Sequence, residues 1–177
     1  FIELFSEEIP SNLQIDARNK IKNSIDQKLK KKEIKFSLIK SFSTPQRLVF
    51  IVEGLPEKIT EKKKLIKGPK VGSPQQALDG FIKSNNLTFK DIFKKKIEKG
   101  EFFFVETKPK IINVLDELQT LIPNTLKEHP WKKSMKWSDY EVTWGRPLRS
   151  ITAIFNNKVV NFSFFHIKSD NLITING

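Results

Sequence analysis

Residues 11–54 read SNLQIDARNKIKNSIDQKLKKKEIKFSLIKSFSTPQRLVFIVEG, and two periodicities in this stretch decide the fold. Leu13, Ala17, Ile21, Ile25 and Leu29 recur every four residues, a single apolar stripe on a helix from Ser11 to about Lys32. Pro10 and Ser11 suit its start, and the cations of Lys30-Lys31-Lys32 suit the negative end of its dipole. The period then changes. Ile34, Phe36 and Leu38 alternate with polar residues and predict a strand over 34–42, interrupted at Thr44-Pro45. Arg47 to Glu53 is apolar on both faces through Leu48-Val49-Phe50-Ile51-Val52, which predicts a central strand ended by Gly54.

Outward from this core, Phe1 to Phe5 reads as a short strand before the helix, and the Lys-rich stretch to Lys67 as an edge strand or an extended segment. Gly68 to Gly72 reads as a loop. Ser73-Pro74-Gln75-Gln76 has the residues of a capping box, predicting a short helix that buries Ala77, Leu78, Phe81 and Ile82. Thr88 to Asp91 is a looser box for a helix through Phe93. Lys99-Gly100 predicts a hairpin turn, with Glu101 to Glu106 as the returning strand. Ile111, Val114, Leu115, Leu118, Leu121 and Ile122 predict a second long helix to about Lys127, which Pro123 should kink or divide. Strands are expected at 141–144 and 148–155, a tight turn at Asn156-Asn157, and a return over 159–165.

The elements define an α+β fold, with a mixed or antiparallel sheet and two long amphipathic helices. The order strand, helix, strand, Pro, strand occurs twice. Phe42-Ser43-Thr44-Pro45-Gln46-Arg47-Leu48 echoes Trp144-Gly145-Arg146-Pro147-Leu148-Arg149-Ser150, each with an aromatic, a Pro, and an Arg two residues after the Pro. A duplicated β-α-β-β unit accounts for the echo, as do two similar layers around one mixed sheet. The 177 residues then form one region whose halves, 1–72 and 95–165, are joined by short helices over 73–94.

The formal net charge is +12, a field able to attract a polyanion such as RNA. Only Arg18, Arg47, Arg146 and Arg149 among the 32 basic residues are Arg, which is also how an AT-rich genome loads any surface with Lys. There is no Cys, so disulfides and thiolate metal sites are excluded, and a reducing cytoplasm fits. His129 and His166 lie in no metal-ligand spacing. No apolar run is long enough to span a membrane and no signal peptide opens the chain; without an initiator Met, Phe1 reads as a trimmed or partly ordered start. Phosphate loop, dinucleotide fingerprint and nucleophile elbow are all missing from the sequence, so no catalytic residue is assigned. Glu7-Glu8, ahead of the first helix, reads mainly as a complement to its dipole.

Candidates for binding RNA or a partner are therefore few. Trp131 and Trp137 in the 130–137 loop offer stacking surfaces, and Lys132, Lys133 and Lys136 offer phosphate contacts. Packing of both Trp into the core is the commoner outcome. Lys67 and Lys70 flank the Gly68-Pro69 segment. Arg47, Arg146 and Arg149 stand out in a chain that uses Lys by default. Each answers a need for a planar, bidentate donor to phosphate, to a partner's carboxylate, or most commonly to an internal acid.

Read together, these motifs resemble a known family. Phe1-Ile2-Glu3-Leu4-Phe5-Ser6-Glu7-Glu8-Ile9-Pro10 is similar to the "LLEIGTEELP" opening of the bacterial glycyl-tRNA synthetase β subunit. Ser43 to Leu48 resembles its "TPRRL", Lys67-Gly68-Pro69 its "KGP", and Ala77 with Gly80-Phe81 its "A..GF". Lys133 to Trp137 resembles "KSMRW", Arg146 to Ile151 "RPIRWI", and Ile167-Lys168-Ser169 a "KSG"-type stretch. The matches are collinear along the whole chain, with Phe5, Ser6 and Lys136 as mild departures. The family continues beyond such a segment, which implies about a quarter of a longer subunit. The resemblance also implies an α2β2 enzyme that joins glycine to tRNA(Gly) with ATP and Mg2+ at the α subunit. This portion would then be non-catalytic and cytoplasmic, bind neither cofactor, and have the α subunit and tRNA as partners.

Overall fold

The computed structural model describes residues 1–61, 65–85, 88–98, 100–107, 109–136 and 143–175, the side chains of Glu61 and Lys136 excepted. In chain order the elements are β1 (Ile2–Ser6), α1 (Ser11–Lys31), β2 (Leu38–Thr44), β3 (Arg47–Glu53), β4 (Lys58–Glu61), β5 (Leu65–Lys70), α2 (Gln75–Ser84), a 3-10 turn (Phe89–Asp91), β6 (Ile92–Ile97), β7 (Gly100–Glu106), β8 (Lys110–Asn113), α3 (Val114–Lys127), β9 (Met135–Lys136), β10 (Thr143–Trp144), β11 (Leu148–Phe155), β12 (Lys158–Val159), β13 (Ser163–Phe164) and β14 (Ile167–Asp170). The class is α+β, as expected. The chain forms two compact units, Phe1–Ile59 with Ile112–Gly177, and Thr60–Ile111. No helix among the described residues is long and apolar enough to cross a membrane.

The first unit is a mixed sheet in the order β13-β14-β11-β1-β3-β2, with β12 also on β11. Only the β11–β14 pair is parallel among those described. The predicted stripe of α1 is buried along its whole length. It packs with Val114, Leu118, Leu121, Ile122 and Leu126 of α3 over Ile2, Leu4, Leu48, Phe50, Ile151 and Ala153 of the sheet. Each such side chain contributes about 1.5–3 kcal/mol. Truncating a fully buried one such as Leu29 to Ala costs about 2–5 kcal/mol. Asn156 and Asn157, at φ 46° and 59°, form the predicted tight turn between β11 and β12.

Several expectations are corrected. Ile34 belongs to no strand. Glu33 takes φ 56°, its N–H bonds to the Lys30 carbonyl, and that of Ile34 reaches back to Leu29 at 3.0 Å. This is a Schellman stop, and Ile34 and Leu29, both buried, are the apolar pair that goes with it. The second helix begins at Val114 rather than Ile111, which is exposed on β8, because Asn113 caps it by accepting the Leu115 N–H. Pro123 lies within that helix and does not divide it. The strand expected at 141–144 is described only at Thr143–Trp144; residues 141–142, like Trp137 and Lys99, lie outside the described residues.

The second unit is the antiparallel sheet β5-β7-β6 with α2 on one face. β5 runs to Lys70, so Gly68 and Pro69 lie in an edge strand rather than a loop, at a register shift where a Pro is tolerated. A Cβ on Gly68 would stand 2.8 Å from the Phe81 ring, so only glycine lets α2 approach. The capping box at Ser73 does not form. Pro74 itself holds the N-cap position in extended geometry, leaving Ser73 one residue too early. The box at Thr88 does form, with Asp91 accepting from Thr88 N–H at 2.9 Å. It opens only one 3-10 turn, and Phe93 passes into β6.

The duplicated unit is not realised. β1 pairs directly with β3, whereas β7, its supposed equivalent, pairs with β5 and β6 in the other unit and not with β11. Nor do halves 1–72 and 95–165 exist, since the second unit takes β5 from one and β7 from the other.

Candidate functional site

The Pro-x-Arg echo has a different structural meaning. β3 and β11 flank β1, and each begins just after one of the two prolines. The Ile9 N–H bonds to the Pro45 carbonyl at 2.6 Å and the Glu7 N–H to that of Pro147 at 2.9 Å. The Ser6 N–H bonds to Gln46 at 2.8 Å. The two loops thus clasp the chain where it leaves β1. Arg47 and Arg149 then approach Phe5 on the sheet face away from the helices, at 4.4 and 5.9 Å from its ring. Phe5 is fully buried.

The three arginines differ in what they meet. Arg47 Nη1 donates to Glu3 Oε1 at 2.5 Å, and Nη2 to the Thr174 carbonyl. Its side chain is 21% exposed and that of Glu3 only 8%. This is the internal ion pair. Arg146 donates from Nε to the Glu8 carbonyl at 3.2 Å and from Nη1 to Gly145 at 3.0 Å, fastening the 145–147 turn. Arg149 is about half exposed, and among the described residues it pairs with the Glu7 carboxylate 3.9 Å away, so it holds little in place.

Trp131 packs edge-on against Trp144 and His129, with ring centroids 4.9 and 4.8 Å apart. A Cβ on Gly145 would lie 2.4 Å from the Trp131 ring. Both indole N–H groups are buried without a partner among the described residues. The ring is committed to this cluster rather than presented for base stacking. Burial, with Lys20 nearby, pushes His129 down to about 4 against the opposing pull of Asp16, so the imidazole is neutral. Lys132 and Lys133 are exposed beside the cluster. Lys136 pairs through its backbone with Thr143.

In the second unit, Lys67 and Lys70 are exposed on β5. The Lys67 ammonium sits 3.6 Å from the Phe102 ring centroid, and the Lys70 side chain lies alongside Gly100. Lys67 and Lys70 are candidates from the sequence; their neighbours Phe102 and Lys95 are not, and Phe93 is expected there only as the end of a short helix. The signal was a basic run in IFKKKI followed by an aromatic run in GEFFFVE, but the strand register decides which alternate residues share a face.

A divalent metal such as Mg2+ needs converging oxygen ligands. Among the described residues no three of His, Asp and Glu converge, and Glu3, the buried carboxylate, is taken by Arg47.

The family model described as the glycyl-tRNA synthetase beta subunit matches residues 1–176. The chain is 36% identical over 160 residues to the glycine–tRNA ligase beta subunit of Rhodospirillum centenum, covering 90% of this chain and 22% of that protein. It is 32% identical over 171 residues to the corresponding subunit of Rickettsia felis, and 33% to that of Rickettsia typhi. Both of these matches cover 97% of this chain and 26% of the relative. The chain therefore spans about a quarter of the length of the curated relatives it matches.

Proposed function

The chain belongs to the glycyl-tRNA synthetase beta subunit family, and from that premise we propose that it is a non-catalytic part of a cytoplasmic ligase that attaches glycine to tRNA(Gly). In this reading it binds tRNA and helps join β to α in an α2β2 assembly, while ATP and Mg2+ act at the α subunit. The observation that carries the RNA role is the distribution of charge. The second unit, 52 of the 177 residues, has 13 Lys against 6 Asp and Glu, or +7 of the +12. The remaining 125 residues have 19 basic against 14 acidic side chains. Codon bias would load both units alike. A field concentrated on one small unit is what a polyanion needs.

The assembly role rests on a different surface. On the face of β2 turned from the helices, Leu38 is 42% and Phe42 51% exposed. Such a patch suits a protein partner. Two measurements on the assembled ligase test the two roles. Replacing Lys94, Lys95 and Lys96 by Ala should weaken tRNA binding and leave α bound. Phe42→Asp should release α instead. If the lysine variant binds tRNA as the wild type does, the RNA role of this unit is wrong.

A further inference from the structure

The sheet of the second unit has one face packed by α2 and one turned away from it. Side chains paired across an antiparallel sheet share a face. The register therefore puts Lys67, Phe104 and Phe93 in one row of the second face, and Lys70, Phe102 and Lys95 in the next. Phe93 is 43% exposed and stacks on buried Phe104 at 6.3 Å. Phe102 is half-buried beneath the Lys67 ammonium, and Lys67, Lys70 and Lys95 are all exposed.

From this alternation of rings and ammonium groups we infer that the face binds an unpaired stretch of RNA. Bases stack on Phe93 and Phe102, and Lys67, Lys70 and Lys95 take the phosphates. The inference rests on the RNA-binding role proposed above and assigns it a place and a mode. Stacking needs bases that are not paired, whereas a duplex offers mainly phosphate and sugar. The cation over Phe102 is compatible with this. A cation–π contact at an exposed site is weak, and a charge-assisted bond to phosphate is stronger, so an incoming backbone draws Lys67 off the ring and frees it. A protein partner fits less well, because lysine is depleted at the centres of protein interfaces.

The test uses the assembled ligase and a fluorescent single-stranded oligoribonucleotide of about 12 nucleotides, within the range one such surface covers, beside a duplex of the same length. Phe93→Leu keeps the apolar contact with Phe104 and removes the stacking ring. It should weaken single-strand binding roughly tenfold and leave duplex binding within about twofold. Phe93→Tyr should bind as the wild type does, and both variants should melt with it. Equal single-strand affinity in Phe93→Leu, an equal loss on the duplex, or release of the α subunit overturns the inference. If the Lys67→Ala, Lys95→Ala variant loses tRNA while Phe93→Leu does not, the stacking mode falls and the RNA role stands. If neither substitution changes binding of oligonucleotide or tRNA, both fall.

Discussion

Removing the Arg47 side chain isolates a buried carboxylate. Glu3 has 8% of its side chain exposed, and Arg47 Nη1 at 2.5 Å is the cation it faces. Breaking a buried pair from one side costs about 3–5 kcal/mol, because the remaining charge has no compensation. Arg47→Ala also loses the contact over Phe5 at 4.4 Å, about 0.5–1 kcal/mol, and the bond to the Thr174 carbonyl, about 1 kcal/mol. These effects overlap, so a total near 4 kcal/mol is expected, a large share of a stability of about 5–15 kcal/mol. Arg149→Ala is the internal control. Its side chain is 53% exposed and its carboxylate 3.9 Å away, so the change should cost under about 1 kcal/mol. Urea unfolding followed by the fluorescence of the Trp131–Trp144 cluster separates the two. The double variant Glu3→Leu, Arg47→Met should recover most of the loss, since an apolar replacement leaves no stranded charge. Equal destabilisation by Arg47→Ala and Arg149→Ala, or a double variant no more stable than Arg47→Ala, would show that Glu3 is not left as a stranded charge.

Other substitutions probe other parts of the account. Gly145→Ala would drive a methyl to within 2.4 Å of the Trp131 ring. It should cost about 1–3 kcal/mol and shift the tryptophan emission, measured in the same urea titration. His129 is depressed to about 4 in the folded chain against an ordinary 6.5, so below pH 6.5 the unfolded chain takes up the proton first. Stability should fall as pH drops from about 6.5 to 4, by up to about 3 kcal/mol, and His129→Phe should flatten that part of the pH profile. Glu33 holds φ 56° at the end of α1. Glu33→Gly should relieve that strain and raise stability by about 1 kcal/mol, readable as a higher Tm.

Periodicity was sufficient where one face of an element meets a core. The four-residue stripe of α1 fixed that helix to within a residue, because burial along its whole length leaves no competing pattern. It failed at element ends. Ile34 and Ile111 are apolar and in phase with their neighbours, yet one closes a Schellman stop and the other precedes an Asn cap. Local backbone hydrogen bonds, not hydrophobicity, settle such boundaries. Pairing across the sequence was the least legible. The Pro45–Arg47 and Pro147–Arg149 echo was visible as a repeat. Its meaning, two loops clasping β1 from either side, depends on the β3-β1-β11 order, which no local pattern encodes. The same holds for the candidate sites. That Arg47 serves Glu3 and Trp131 serves Trp144 are contacts made over more than ten residues of chain. The Phe and Lys residues of β6 and β7 acquire a common face only through their register.

The RNA-binding role proposed for the second unit works through counterion release. The salt dependence of tRNA binding by the assembled enzyme tests it most directly. With Lys67, Lys70 and Lys95 replaced by Ala, the slope of log affinity against log salt should become shallower by about two relative to the wild type, as fewer counterions are released. An unchanged slope would contradict the account and leave the +7 of this unit as surface charge without a nucleic-acid partner.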